Sequence, residues 1–201
     1  MTLVHWARHG ENAANVSRRF SYRIFDGDLT DRGVRQAEQL AVTLQAGRYH
    51  YGLLACSPLR RARQTAEIIS ARLVLPVWTE LEDLREVNVG DLDGRSDDTA
   101  WHIYDAVLGE WRSGQLGHRF PGGESGHQLT ARTGRALRVI AEQAGTDDAI
   151  IVAHGASIRA ALPVLTGQPD PGADLPTGAV ASLMVALRPG LAASIALVAW
   201  P

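Results

Sequence analysis

Short apolar segments alternate with longer amphipathic segments along most of the chain, and this alternation restricts the fold more than any other feature. The clearest apolar segment, 149–153 (AIIVA), has no polar residue and predicts a strand buried on both faces. Five further segments predict strands, at 3–7, 51–56, 75–78, 179–187 and 192–200. Because strands alternate with helices, we expect an α/β fold: a three-layer α/β/α sandwich with a mostly parallel central sheet of about six strands.

The amphipathic segments predict the helices. Thr30 is the predicted N-cap of a helix that continues to Gln45, and further helices are predicted from Pro58, near 99–111 and from Gly155 to about residue 165. Apolar residues recur at helical spacing along the first of these helices, namely Val34, Ala37, Leu40, Ala41 and Leu44. The last two strands are separated by a predicted turn at 188–190.

Residues 87–128 differ from the rest of the chain because they are rich in Gly, Asp, Trp and His. We expect this segment to be an excursion over the carboxyl ends of the strands, without an apolar core of its own. The length fits one domain, so residues 1–201 are expected to form a single unit.

Every one of the 20 basic residues is an arginine, so the chain has no lysine. This excludes a Walker-type phosphate loop and a Schiff-base mechanism, because both require a lysine amine. An anion bound by this protein must therefore be held by arginine, histidine or backbone N–H groups.

Composition sets further expectations about partners and compartment. The formal net charge of −2 argues against a nucleic-acid partner, which usually meets a clustered basic face. No apolar run approaches the roughly 20 residues of a membrane span, and we recognise no signal peptide, so we expect a cytoplasmic protein without a membrane partner. Cys56 is the single cysteine, which excludes an internal disulfide.

Two predicted strands end in a histidine followed by a glycine, at His9-Gly10 and at His154-Gly155. Because the carboxyl ends of neighbouring parallel strands meet at one edge of a sheet, we expect the two imidazoles to lie face to face there. Gly155 also opens a predicted helix, whose N-terminal N–H groups favour an anion. The sequence therefore predicts an anion site at this edge.

Six motifs in order strengthen that prediction. They comprise Arg8, His9, Gly10, Glu11 and Asn15; Leu29, Thr30, Gly33, Gln36 and Ala37; Ser57, Leu59, Arg61, Ala62, Gln64, Thr65 and Ala66; Leu84, Glu86, Gly90 and Gly94; residues 121–125 (PGGES); and His154 with Gly155. Together they span nearly the whole chain. In order and spacing they resemble the phosphoglycerate-mutase-like branch of the histidine phosphatase superfamily.

The resemblance implies that His9 attacks phosphorus and forms a phosphohistidine that water then hydrolyses, with Glu86 as general acid and base. His154 is expected to assist as a cation or a hydrogen-bond donor. The phosphoryl group is expected to be held by Arg8, Arg61 and His154, with Asn15 and the N–H of Gly155 as secondary contacts.

The remaining histidines show no paired metal-ligand spacing, so we predict neither a metal nor another cofactor. The expected partner is a small phosphorylated metabolite, and the resemblance also allows a homodimer. Candidates for contacting its non-phosphate end lie in the 87–128 excursion: Trp101, His102, Trp111, Arg112, His118 and Arg119. Glu124 is expected to stabilise the start of the helix that follows it.

The leading prediction is a metal-independent phosphatase, and two alternatives stay open. One is a cofactor-dependent mutase, although such relatives carry a longer excursion and an Arg-His-Tyr run after the acidic residue, where this chain has Val87-Asn88-Val89. The other is a non-catalytic phosphate-binding module. The chain departs from the family pattern at Asn12 and at Ser21-Tyr22, and the second position shapes the substrate entrance in relatives, so specificity is expected to differ there.

Overall fold

The computed structural model describes residues 1–168, 175–187 and 193–200, except for the side chain of Trp78. The strands in this part of the chain are β1 (Thr2–Arg8), β2 (Tyr51–Cys56), β3 (Val77–Glu80), β4 (Asp148–Ala153), β5 (Val180–Ala186) and β6 (Ser194–Ala199). The helices are α1 (Ala13–Val16), α2 (Asp31–Ala46), α3 (Arg60–Leu73), α4 (Asp98–Arg112), α5 (Gly126–Ala144) and α6 (Gly155–Thr166).

The strands form one mixed sheet in the order β3-β2-β4-β1-β5-β6. The pairs β3–β2, β2–β4 and β4–β1 are parallel, whereas β5 is antiparallel to both β1 and β6. Because β1 and β4 are parallel neighbours, with Arg8 opposite Ala153, the residues that follow the two strands emerge side by side. The predicted α/β fold is confirmed.

Strand β4 lies at the centre of the molecule. Its side chains alternate between the two faces of the sheet: Ile150 and Val152 pack with α2 and α3, and Ile151 packs with α5 and α6. Helices therefore cover both faces, which confirms the predicted three layers and the burial of β4 on both sides.

Three local predictions are wrong by a few residues. Val34 is exposed, and Gly33 lies on the buried side of α2 instead. Helix α3 begins at Arg60, not at Pro58, because the buried Leu59 remains extended and the Asp26 carboxylate accepts a hydrogen bond from the Arg60 N–H.

Strand β3 begins two residues later than predicted, at Val77. Val74 ends α3 in the left-handed conformation, and the N–H of Leu75 still bonds to the carbonyl of Ser70. Leu75 therefore belongs to the end of the helix. The predicted turn at 188–190 lies outside the described residues.

The 87–128 excursion contains helix α4, as predicted, and its apolar residues belong to a cluster that is shared with α5 and α6, so it has no core of its own, as expected. Val87, Leu108, Trp111 and Phe120 are buried in a third apolar cluster. The same cluster includes Leu129 of α5 and α6 residues, so the excursion packs firmly onto those helices. No helix in the described part of the chain has the length and apolarity that a membrane span requires.

Candidate active site

His9 follows β1 and is buried with a defined hydrogen-bond pattern. Its Nδ1 lies 2.6 Å from the carbonyl oxygen of Gly10, and its Nε2 lies 3.0 Å from the Nε of Arg61. Because a carbonyl only accepts and a guanidinium only donates, we assign the proton to Nδ1 and a lone pair to Nε2. Burial, followed by the charges of Arg61 and Arg8, lowers the pKa of His9 well below 6.5. The ring is therefore neutral at pH 7, the form that can attack phosphorus.

Arg61 projects from the first turn of α3 and is 3% exposed. Besides His9, its guanidinium donates to the hydroxyl of Ser21 at 3.0 Å and to the Ser21 carbonyl at 2.9 Å, and Asp26 lies at 3.5 Å. The departure from the family pattern at Ser21 therefore bears on a proposed catalytic group as well as on the substrate entrance. Ser21 helps to fix the orientation of Arg61.

Arg8 and Gly155 meet where β1 and α6 lie side by side. The Arg8 side chain crosses the first residue of α6 and donates to the carbonyl of Leu175 at 2.5 Å. A Cβ at Gly155 would lie 2.9 Å from Cδ and Nε of Arg8, so a larger residue would displace this arginine. The second His-Gly pair therefore needs its glycine to admit Arg8.

His154 is fully buried and lies close to His9, with 5.1 Å between ring centroids. The rings meet edge-on at 61°, so the expected face-to-face arrangement is wrong: His9 bonds to the Gly10 carbonyl and His154 to Ser57, and these separate partners orient the two rings independently. Burial, together with Arg61 and His9, lowers the pKa of His154 well below 6.5. This disfavours the expected cationic role and leaves the neutral ring as a hydrogen-bonding group.

Ser57 was not singled out by the sequence reasoning, although it lies in one of the six motifs. Its hydroxyl is 2.7 Å from Nε2 of His154. Thr65, from the same motif, accepts a hydrogen bond from the Gly10 N–H at 3.1 Å and donates to the Arg61 carbonyl at 2.8 Å. The motif therefore supports both histidines and Arg61.

Glu86 is held at the start of α6. One carboxylate oxygen accepts hydrogen bonds from the N–H of Ser157 at 2.8 Å and from the N–H of Val87 at 2.9 Å. Ser157 belongs to the first turn of α6, whose dipole favours a carboxylate. Glu86 is therefore tied to the helix that also begins at Gly155.

Glu124 does not cap helix α5 as expected. Ser125 is the N-cap and forms a capping box with Gln128. Glu124 is instead buried in an ion pair with Arg132, with contacts of 2.9 and 2.8 Å, and accepts from the N–H of Asn88 at 2.8 Å. A buried carboxylate needs such a partner more than a helix end needs a second acceptor.

Arg132 is a residue that sequence reasoning missed, because it lies outside every motif. Its guanidinium also donates to three backbone carbonyls just before and at Glu86, those of Asp83 (2.8 Å), Arg85 (2.8 Å) and Glu86 (3.0 Å). Arg132 and Glu124 therefore hold the backbone on both sides of Glu86 through hydrogen bonds.

Asn12 and Asn15 form a reciprocal capping box around α1. The side chain of Asn12 accepts from the Asn15 N–H at 3.2 Å, and the side-chain oxygen of Asn15 accepts from the Asn12 N–H at 3.1 Å. Asn12 thus performs the capping function of the Ser or Thr that is common at this position. The amide nitrogen of Asn15 is the end of that side chain left to meet a ligand.

One pocket of about 760 Å³ brings most of the predicted site residues together. The described residues at its polar end include Arg8, His9, Asn15, Arg61, Glu86 and Gly155. His154 lies behind this wall and is absent from the described lining. Of the candidates for the non-phosphate end, Trp101, Trp111 and Arg112 line the pocket, whereas His102, His118 and Arg119 do not.

The chemistry available at the polar end is that of a phosphoryl site. A neutral imidazole, whose Nε2 lone pair accepts a hydrogen bond from Arg61, lies beside two guanidinium groups, a helix N-terminus and a carboxylate. Within the described ranges, no group of three or more His, Cys, Asp or Glu side chains is placed to hold a metal ion.

Comparison with known proteins agrees with this geometry. Residues 4–191 match the family model of the histidine phosphatase superfamily (branch 1), and the chain belongs to that superfamily. A relative from Yersinia pestis (strain Pestoides F), named "Probable phosphoglycerate mutase GpmB", is 33% identical over 170 residues, which cover 84% of this chain and 77% of the relative.

Solved structures show the same fold. The native mycobacterial glucosyl-3-phosphoglycerate phosphatase superimposes with a TM-score of 0.73 at 26% identity, over 90% of this chain and 89% of that chain. A protein titled "Mycobacterial hydrolase 1" has a TM-score of 0.82 at 24% identity, over 100% of this chain and 98% of that chain, which shows the fold alone. Relatives and neighbours thus include both phosphatases and mutases.

Proposed function

We propose that the protein hydrolyses phosphate monoesters of small molecules without a metal ion, through a phosphohistidine on His9. The observation that carries the proposal is the hydrogen-bond pattern of His9: Nδ1 bonds to the Gly10 carbonyl, and the lone pair of Nε2 faces Arg61 in a pocket that also contains Glu86. A neutral, oriented imidazole beside a potential proton donor is what nucleophilic attack on phosphorus requires.

In the first step, Nε2 of His9 forms a bond to phosphorus as the bond from phosphorus to the ester oxygen breaks. Arg61 must transfer its hydrogen bond from Nε2 to a phosphoryl oxygen, and Arg8 offers a second guanidinium fork. Protonated Glu86 donates its proton to the departing alkoxide, which leaves as the alcohol.

In the second step, Glu86 acts as a carboxylate and accepts a proton from water as the water oxygen attacks phosphorus. The bond between phosphorus and Nε2 breaks, inorganic phosphate leaves, and His9 returns to its neutral form. Glu86 regains the proton it donated, so the cycle closes. The N-terminus of α6 and the neutral ring of His154 stabilise negative charge without themselves changing protonation state.

The simplest test is hydrolysis of 4-nitrophenyl phosphate in the presence of EDTA. We expect turnover in EDTA, none in His9→Ala, and acid-labile, base-stable radiolabel on the wild-type protein after rapid quenching. Glu86→Gln should lose most of its rate on an alkyl phosphate. Label that persists in His9→Ala, or full alkyl phosphate turnover by Glu86→Gln, would exclude these roles. Activity restored only by added metal would exclude the metal-independent mechanism.

A mutase is the second candidate, favoured by the name of the Yersinia relative. The two reactions differ in what accepts the phosphoryl group, which is water in a phosphatase and a substrate hydroxyl in a mutase. Incubation with 3-phosphoglycerate and a bisphosphoglycerate primer, followed by phosphorus NMR, separates them. We expect inorganic phosphate to accumulate; conversion to 2-phosphoglycerate at a higher rate would establish the mutase.

A further inference from the structure

The pocket extends well beyond the groups that would hold a phosphoryl group. Its volume of about 760 Å³ lies in the range of sites for drug-sized ligands, whereas a three-carbon acid would leave most of it unfilled. The side chains of the remaining wall are mostly apolar, among them Phe20, Trp101, Tyr104, Leu108, Trp111 and Val164.

The aromatic part of this wall is packed into a defined shape. The ring centroid of Phe20 lies 4.5 Å from that of Trp101 and 5.0 Å from that of Tyr104, both at tilted angles, and the buried Phe120 contacts both Tyr104 and Trp111. Phe20 and Trp111 are almost fully buried. Because these rings pack against one another, the wall has a fixed shape.

The polar atoms of the two indoles are directed to the backbone, where a ligand does not compete for them. The Nε1–H of Trp101 donates to the carbonyl of Arg18 at 2.9 Å, and the Nε1–H of Trp111 donates to the carbonyl of His118 at 2.7 Å. The indoles therefore present carbon to the pocket. The two indoles offer no hydrogen-bond partner to a sugar or glycerate hydroxyl, so burial of a hydroxyl group against them is unfavourable.

Charge is concentrated elsewhere in the pocket. Apart from the groups at the phosphoryl end, the charged residues in the described lining are Arg19, Arg112, Arg159 and Asp105. Arg19 and Arg112 are exposed, so most of this positive charge lies where the pocket meets solvent, whereas Arg159 of α6 is partly buried. A basic mouth attracts a phosphate dianion, whereas the interior selects for apolar surface.

We infer that the substrate is a phosphate monoester of a large, apolar alcohol, whose hydrocarbon part lies against Phe20, Trp101 and Trp111. This inference rests on the proposed phosphatase function. It predicts that specificity increases with apolar contact area, because each buried methylene favours binding by about 0.8 kcal/mol.

A homologous series of unactivated esters tests the inference without changing the chemistry of the leaving group. The kcat/KM for n-butyl, n-hexyl and n-octyl phosphate, kept below their aggregation concentrations, should rise about two- to fourfold per methylene. Glycerol 3-phosphate and 3-phosphoglycerate should fall below n-butyl phosphate. Equal or better turnover of the two hydrophilic esters would overturn the inference while leaving the phosphatase intact.

Binding provides a readout that does not depend on turnover. We expect calorimetry to show n-octylphosphonate binding at least about 100-fold tighter than methylphosphonate, because the two differ by seven methylenes. Equal affinities overturn the inference. If no ester is hydrolysed but this preference is found, the proposed function fails and the apolar site stands.

A pair of valine variants localises the effect. Val164 of α6 lines the pocket and is 40% exposed, whereas Val139 of α5 lies outside the described lining and is 36% exposed. Val164→Asp should lower the ratio of kcat/KM for octyl phosphate to that for glycerol 3-phosphate, and Val139→Asp should leave this ratio unchanged. The ratio does not depend on the fraction of protein that is folded. A ratio lowered equally by both variants, or by neither, contradicts the assignment of the wall.

Discussion

The Nε–H of Arg61 points at Nε2 of His9 across 3.0 Å, and the rest of the same guanidinium is held by Ser21. This contact preserves the reactive tautomer of His9 and places a cation where a phosphoryl group would arrive. A primary ammonium cannot donate along these three directions from a rigid plane.

We therefore expect Arg61→Lys to lower kcat/KM for 4-nitrophenyl phosphate by about 10²- to 10³-fold, the usual effect of losing one donor to the transition state. Steady-state kinetics measure this loss of kcat/KM. Arg60→Lys is the matched control, because the neighbouring Arg60 is exposed and pairs with Asp28 away from His9. A loss of less than threefold in Arg61→Lys, or the same loss in Arg60→Lys, would contradict this role.

Arg132 and Glu124 are predicted to position Glu86, since they form hydrogen bonds to the backbone on both sides of it. Arg132→Lys should slow hydrolysis of an alkyl phosphate by about tenfold or more, because a poor leaving group needs a correctly placed acid. Hydrolysis of 4-nitrophenyl phosphate should change much less, because nitrophenolate leaves readily without a proton.

The ratio of the two rates is the measurement, since loss of folded protein affects both substrates equally. Arg135→Lys is the control: Arg135 lies about one turn after Arg132 on α5 and pairs with the side chain of Asp83 at 2.9 Å, without contacting the Glu86 backbone. Equal slowing of both substrates in Arg132→Lys would show a role unrelated to the proton donor.

The two site histidines predict a pH-dependent stability. Burial holds His9 and His154 neutral in the folded protein, whereas in the unfolded chain each takes up a proton below about pH 6.5. Their stabilising contribution is therefore complete above that pH and is lost as the pH falls towards the lower folded-state pKa values. Each histidine should reduce the free energy of unfolding by up to about 1.4 kcal/mol per pH unit.

Urea denaturation at pH 7.5 and 5.5, in a buffer without phosphate, measures this dependence. His154→Gln should weaken it by about one proton, because glutamine does not titrate. His127→Gln replaces an exposed histidine of α5 and should leave the dependence unchanged. If the wild-type protein is equally stable at both pH values, the buried histidines are not held neutral.

Two helical glycines should respond to alanine with opposite signs. A Cβ at Gly33 would overlap the backbone carbonyl of Glu11, next to the His9 loop, whereas a Cβ at Gly109 meets nothing within 4 Å. We expect Gly33→Ala to lower the free energy of unfolding by about 1–3 kcal/mol through overpacking. Gly109→Ala should raise it by about 0.5–1 kcal/mol through helix propensity. Denaturant titration checks both, and effects of the same sign would refute the packing argument.

Local sequence patterns were sufficient to predict the main strands and helices of the fold. Strand β4 was predictable because a short run without polar residues is stable only when both faces are covered. Helix α2 was predictable from its Thr30 cap and apolar spacing. The start of α3 was not predictable, because the Asp26 carboxylate that accepts from the Arg60 N–H lies 34 residues earlier in the chain.

The sequence by itself determined the α/β class, the family, and the two His-Gly pairs at strand ends, because these depend on short-range periodicity and on motifs of a few residues. Only the tertiary structure decided that His154 is neutral and edge-on to His9, that Arg132 holds the backbone around Glu86, and that Phe20 joins Trp101 and Tyr104 of the excursion in one apolar wall. Protonation, hydrogen-bond direction and pocket shape arise from groups far apart in the chain. They are therefore set only when the elements pack together.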